Sequence, residues 1–334
     1  MSRNRTFIIA EAGVNHNGDI AIARKLVDAA AKAGADAVKF QTFDAKKLVC
    51  ARAKKAEYQV TNTGNSESQL QMLEKLQLSE AEFAELKDYC DKKNIMFLST
   101  PFDVDSLKFL LTLGISMVKV PSGEITNYPL LREIGKSGLK VILSTGMCEP
   151  SDVKAAVGVL KEFGTKDITV LQCNTEYPTP YEDANISAML SLGRDNECEY
   201  GYSDHTLGND AAIAAVALGA SIIEKHFTLD KNMEGPDHIA SIEPKELEEL
   251  VISVRNIEKA LGSGIKEVSS SEKKNIAVAR KSIVASCRIN KGDIFSEDNL
   301  TTKRPGTGIS PMEWNNVIGK VASKDYDEDE IIIL

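Results

Sequence analysis

DAVKFQTF, residues 36–43, joins an apolar run at 37–40 to the polar side chains Lys39 and Gln41, and it follows a helical pattern over 20–33. A short apolar run set against amphipathic stretches is one βα repeat of a parallel sheet. Eight such runs recur, at 7–10, 37–40, 95–99, 117–120, 141–144, 168–172, 199–202 and 221–225. Helical patterns occupy 20–33, 80–93, 152–163, 210–218 and 244–261, with Pro244 suited to a first helical turn. Several runs end in polar residues of chemical use: Glu11, Lys39 and Gln41, Thr100, Lys119, Ser144 and Thr145, His205, His226. In a (β/α)8 TIM barrel such ends converge on one face, where active sites lie. An open doubly wound sheet is the competing α/β architecture, but polar ends repeated over eight units fit a closed barrel better than a two-way switch point.

The barrel is expected to span 1–262. GSGIKEVSSSEKKN opens a Ser-, Gly- and Lys-rich stretch expected to be a linker, 263–281. Residues 282–334 then carry short β-like runs (SIVASCRI, VIGKVAS, IIIL) and the loop KRPGTG, a small β-rich module near the lower size limit for independent stability. The connection at 43–78 is too long for an ordinary βα loop, and loops of that size are usually functional.

A chain of 334 residues, 43% hydrophobic, can bury a large core, while its net charge of -9 argues against nucleic acid as a partner. The six cysteines lack C-x-x-C spacing, so a reducing cytoplasm is expected, with most of them core thiols. The opening MSRNRTFIIAEAGVNHNG has too short an apolar run for a signal peptide or a membrane span.

His205 and His226 end neighbouring runs, and imidazoles so placed bind Mn²⁺, Zn²⁺ or a similar ion while leaving positions open for substrate oxygens. A lone histidine is more often structural; the shared position favours a site. Lys39, Lys119, the turn at Ser122, Gly123 and Glu124, and that at Ser144, Thr145 and Gly146 are the materials of a phosphate or carboxylate cradle. A barrel lysine also suits a Schiff-base aldolase, which needs the amine desolvated, whereas an anion keeps it charged. A non-catalytic carbohydrate-binding barrel would have no use for the paired histidines.

The ordered motifs IIAEAGVNHNGD, DAVKFQTF, FLSTPFD, KVPSGE, VILSTGM, CNTEYPTP, GYSDHT, IEKHFT, GPDHIAS and KRPGTGISPMEW closely resemble bacterial N-acetylneuraminate synthases and their legionaminate and pseudaminate relatives. The likeness runs from Ile8 nearly to the C-terminus and includes a tail similar to the family's antifreeze-protein-like (SAF) domain. It implies metal-dependent condensation of phosphoenolpyruvate with an N-acetylated hexosamine, by carbon-oxygen cleavage, in a domain-swapped homodimer. By the resemblance His205 and His226 bind the metal, Mn²⁺ first, with Mg²⁺ or Co²⁺ as alternatives. Lys119, Ser122, Ser144 and Ser203 hold the phosphate; Lys39 and Thr100 stand near the carboxylate. Gln41, Tyr177 and Asp237 surround the amino sugar, Glu124 is close to the reacting carbons, and Glu11 and Glu224 are acids of the same site. Arg304 reaches into the partner's barrel, and either Asn62 or Asn65 contacts substrate. N-acetylmannosamine is the first expectation for the sugar, and a 2,4-diacetamido-2,4,6-trideoxymannose, the legionaminate precursor, is the alternative.

Overall fold

Each apolar run forms a strand. The computed structural model describes residues 5–64 and 67–334. Its parallel strands are β1 (Phe7–Gly13), β2 (Ala37–Thr42), β3 (Met96–Pro101), β4 (Met117–Val120), β5 (Lys140–Ser144), β6 (Ile168–Cys173), β7 (Glu199–Asp204) and β8 (Ile222–His226). They stand in the order β3-β2-β1-β8-β7-β6-β5-β4, and β3 packs beside β4, so the sheet curls into a barrel.

The two-residue period of a strand decides what the barrel encloses. Ile9, Ala37, Leu98, Ile142, Leu171 and Ile222 form a buried apolar cluster of their own, the floor of the barrel. Two residues further along the same strands, on the same face, stand Glu11, Lys39, Thr100, Ser144, Cys173 and Glu224. The alternate residues, such as Ile8, Val38, Val118, Leu143 and Ile223, belong to the larger core shared with the surrounding helices. There Leu26, Val27 and Ala30 of the helix Ile20–Ala33 are fully buried; the leucine and the valine each contribute about 1.5–3 kcal/mol. One ion pair lies in this outer layer: Lys225 Nζ sits 2.7 Å from Asp204 Oδ2, with side chains 1% and 0% exposed, and also donates to the Thr206 carbonyl at 2.8 Å.

The long connection after β2 folds into the helices Ala45–Leu48, Glu57–Thr63 and Gln69–Leu76. Phe43, Ala45, Met72 and Leu76, with Val14, make a small core separate from the main one. The β1 loop packs tightly on it: at Gly18, φ +74°, a Cβ would come 2.2 Å from the Lys75 carbonyl oxygen, so only glycine fits.

The chain divides into two compact units, Met1–Ser263 and Gly264–Leu334. In the second, the stretch expected to be a linker contains the helix Ser270–Ala279, because Ser269 and Glu272 form a capping box that composition alone conceals. Antiparallel β9 (Ser282–Ala285) and β10 (Leu300–Lys303) follow. This unit has its own buried cluster, including Ile283, Phe295, Leu300, Val317, Tyr326 and Ile332, more core than its length suggests. Among the cysteines only Cys90 and Cys173 are buried, Cys50 and Cys287 are exposed and the others intermediate, so most are not core thiols. Among the described residues no helix is long and apolar enough to cross a membrane.

Candidate active site

The polar layer above the apolar floor opens into a cavity of about 460 Å³. Glu11, Lys39, Gln41, Thr100, Lys119, Ser122, Glu124, Ser144, Tyr177, Ser203, His205, Glu224, His226 and Asp237, far apart in sequence, all line it.

Four charges are buried at its base. Lys39 Nζ lies 2.7 Å from Glu11 Oε2 and 3.8 Å from Glu224 Oε2, and donates to Thr100 Oγ1 at 2.9 Å. Lys119 Nζ lies 2.6 Å from Glu224 Oε1, which also accepts from Ser203 Oγ at 3.1 Å. Gln41 Nε2 donates to Glu11 Oε1 at 3.2 Å. Burying one such charge costs several kcal/mol, and the network offsets this by pairing two lysines with two carboxylates. Burial works against the Glu224 carboxylate, but Lys119 and Lys39 overcome it and hold the group at about 2. Glu11, desolvated, with Lys39 close and the Glu224 charge near, is raised instead. Burial disfavours charge on Lys39, yet Glu11 and Glu224 outweigh it and raise its pKa, whereas at Lys119 burial prevails and lowers it. An arriving phosphate or carboxylate would compete with these glutamates for the two ammonium groups.

Above the lysines stand the imidazoles. The His205 and His226 ring centroids are 5.2 Å apart, and Tyr177 packs on both, at 4.2 Å and 5.4 Å. His205 Nδ1 donates to the Asn174 carbonyl in a short hydrogen bond, which leaves Nε2 as its lone-pair nitrogen. The His205 carbonyl accepts from Thr179 N at 2.9 Å, so the loop after β6 is tied to this residue on two sides. His226 Nδ1 is buried with no hydrogen-bond partner. Among the described residues no group of three or more His, Cys, Asp or Glu converges as a metal cage. Two imidazoles, one with an unpartnered nitrogen, beside buried carboxylates in one cavity do fit an ion whose remaining positions are filled by water or substrate. His238 has another role: it meets Thr228 Oγ1 at 2.6 Å and donates to Asn17 Oδ1 at 3.2 Å, holding the loop after β8 against that after β1.

At the rim, Gly146 N donates to Ser122 Oγ at 2.9 Å, and a Cβ at Gly146 would lie 2.9 Å from that same oxygen and 2.7 Å from Thr175 Cγ2 in the loop after β6, so glycine lets the three segments meet. Ser144 Oγ is buried without a partner. Glu124, in the short helix Ser122–Glu124, accepts from Asn127 Nδ2 at 2.6 Å, and burial raises its pKa. Burial raises Asp237 to about 6. Asn62 Nδ2 donates to the Pro236 carbonyl at 2.6 Å, next to Asp237, while Asn65 lies outside the described residues. Arg304 is not among the cavity residues; it is exposed in the second unit, just after β10.

The sequence did not single out Tyr58 or Cys173. Tyr58 lines the cavity with its ring 5.1 Å from that of Tyr177, and Cys173 Sγ is 3.9 Å from His205 Nδ1. Cys173 was detectable, two residues beyond the floor residue Leu171; Tyr58 sits in a connection without periodicity.

The NeuB family model matches residues 26–266, and the SAF domain model matches 280–332. The chain is 55% identical over 330 residues to N,N'-diacetyllegionaminic acid synthase of Campylobacter jejuni, covering 98% of this chain and 99% of the relative. It is 46% identical to the protein of the same name from Legionella pneumophila, covering 94% and 89%. The crystal structure of N-acetylneuraminic acid (sialic acid) synthetase from Leptospira borgpetersenii, in complex with citrate, superposes with a TM-score of 0.73 at 39% identity, covering 82% of this chain and 90% of that one. With a barrel, a polar strand-end cavity and a trailing β-rich unit arranged in this order, the chain belongs to the NeuB family and ends in a SAF domain.

Proposed function

We propose that the chain condenses phosphoenolpyruvate with open-chain 2,4-diacetamido-2,4,6-trideoxymannose and water, giving N,N'-diacetyllegionaminate and phosphate. N-acetylmannosamine, the first expectation, gives way because two relatives named for N,N'-diacetyllegionaminic acid are 55% and 46% identical, against 39% for a solved structure named for N-acetylneuraminic acid. The observation that carries the chemistry is the buried pair Lys39 and Lys119 beneath the paired imidazoles of His205 and His226, in one cavity.

Lys39 and Thr100 bind the carboxylate of phosphoenolpyruvate, and Lys119 with Ser122, Ser144 and Ser203 binds its phosphate, so the two reactants meet as if in one molecule. His205 and His226 would hold Mn²⁺, or Mg²⁺ or Co²⁺, which when bound polarises the aldehyde. Carbon 3 of phosphoenolpyruvate bonds to the aldehyde carbon, a water oxygen bonds to carbon 2, and the bond from carbon 2 to the bridging oxygen breaks; carbon 2 becomes the ketone as the water's two protons leave, one with the departing phosphate and one to restore the proton that Asp237 gives up. Asp237, at about 6, carries a proton in part of the population near neutral pH and delivers it to the aldehyde oxygen. Gln41 and Tyr177 orient the sugar, and Glu11 and Glu224 keep the lysines charged. Phosphate release measured with each aldehyde is the test. The diacetamido sugar is expected to give the higher kcat/KM; preference for N-acetylmannosamine would overturn the sugar assignment, and release with neither would overturn the reaction.

A further inference from the structure

The cavity is not polar throughout. Leu48 and Leu73, from the connection after β2, and Phe102, just after β3, line it and are half-buried. They pack on the small separate core of the connection, whose buried members include Met72 and Leu76. Leu48, Leu73 and Phe102 thus complete that core on one side and leave apolar surface facing the cavity on the other. Gln59 and Gln69 line the same cavity, with Gln69 Nε2 donating to Gln59 Oε1 at 3.5 Å. Such a wall is ill suited to a sugar chain ending in a hydroxymethyl group, whose hydroxyl would lose its water without gaining a partner. It suits a chain ending in methyl.

We infer that Leu48, Leu73 and Phe102 form a subsite for the carbon-6 methyl group of a 6-deoxy amino sugar and discriminate against a terminal hydroxymethyl. The inference rests on the proposed function and adds a specificity wall to it. Gln59 and Gln69 supply amides at the edge of this wall, able to donate to and accept from an acetamido group on the distal half of the sugar.

The test uses two aldehydes that differ only at carbon 6, 2,4-diacetamido-2,4,6-trideoxymannose and 2,4-diacetamido-2,4-dideoxymannose, each with phosphoenolpyruvate. Wild type should prefer the first by ~10- to 100-fold in kcat/KM, the range open to an apolar pocket facing one hydroxyl. Leu73→Asn, and independently Leu48→Asn, should each cut that ratio by about tenfold, mainly through KM for the deoxy sugar. Leu73→Met, which keeps the wall apolar, should preserve it within about twofold. KM for phosphoenolpyruvate, unchanged in every variant, shows that the barrel is intact. A ratio near one in wild type, or a ratio unmoved by both asparagine variants, overturns the subsite while leaving the condensation standing. Absence of turnover with both sugars instead overturns the proposed function itself.

Discussion

Asp237→Asn should stabilise the protein at neutral pH and not in acid. Burial lifts the Asp237 carboxyl from an ordinary 3.8 to about 6, with the Glu11 charge adding to the shift. Below 3.8 the group is protonated whether the chain is folded or unfolded and contributes no pH dependence. As pH rises toward 6 the unfolded chain releases the proton while the folded chain keeps it, so stability falls; above 6 the loss is complete. Two pKa units and a little more correspond to about 3 kcal/mol at pH 8 and to a small fraction of that at pH 4. Asparagine has nearly the same shape and no charge to desolvate, so the variant should gain these amounts. Urea unfolding at pH 4, 6 and 8 checks this, followed by helix circular dichroism, because the single tryptophan, Trp314, belongs to the second unit and does not report on the barrel. With a slope of about 3 kcal/mol/M the midpoint should move up by about 1 M at pH 8. The same substitution should cut condensation by roughly 10²-fold. A displacement equal at all three pH values, or a loss of stability at pH 8, refutes the assignment of a buried, destabilising carboxylate.

Asp204→Asn strands the Lys225 ammonium, 1% exposed, and should cost about 3–5 kcal/mol of barrel stability, most of it recovered in the double variant with Lys225→Met; urea midpoints of wild type and the two variants measure both. Chelation should abolish condensation, and His205→Ala or His226→Ala should do the same while keeping wild-type circular dichroism; full activity in protein shown to be metal-free would refute the need for an ion. Mixing His226→Ala with Arg304→Ala subunits should restore about a quarter of wild-type activity if each tail serves the other subunit's cavity, since half of the randomly paired dimers then hold one working site. No recovery despite demonstrated exchange would rule the swap out.

The strands were legible because a buried parallel sheet requires apolar runs of about the right length, and residues 117–120 became β4 without adjustment. The inward polar residues were legible for a related reason. Lys39 interrupts the run AVKF on its inward face, where an apolar residue would otherwise continue the floor begun by Ala37. Less was visible where structure depends on contacts distant in sequence. The helix Ser270–Ala279 hid within a composition typical of linkers, and Tyr58 takes its place beside Tyr177 only through the packing of the connection after β2. Arg304 is exposed and does not line the cavity, so the place expected for it in a second subunit's site rests on the resemblance alone, and the subunit-mixing experiment tests it.

The separate core beneath that connection bears on how such enzymes diverge. Because Phe43, Ala45, Met72 and Leu76 pack mainly on one another, with Val14 and the half-buried Phe102 contributed from outside, the segment 43–78 approximates an exchangeable cassette seated on the barrel. The loop after β6 lacks that independence, since its Asn174 and Thr179 are anchored to His205 and cannot shift without carrying the imidazole along. Inherited changes in sugar preference therefore have one inexpensive place to accumulate, the cassette, and transplanting 43–78 between relatives with different acceptors should carry the preference while leaving the handling of phosphoenolpyruvate to the host.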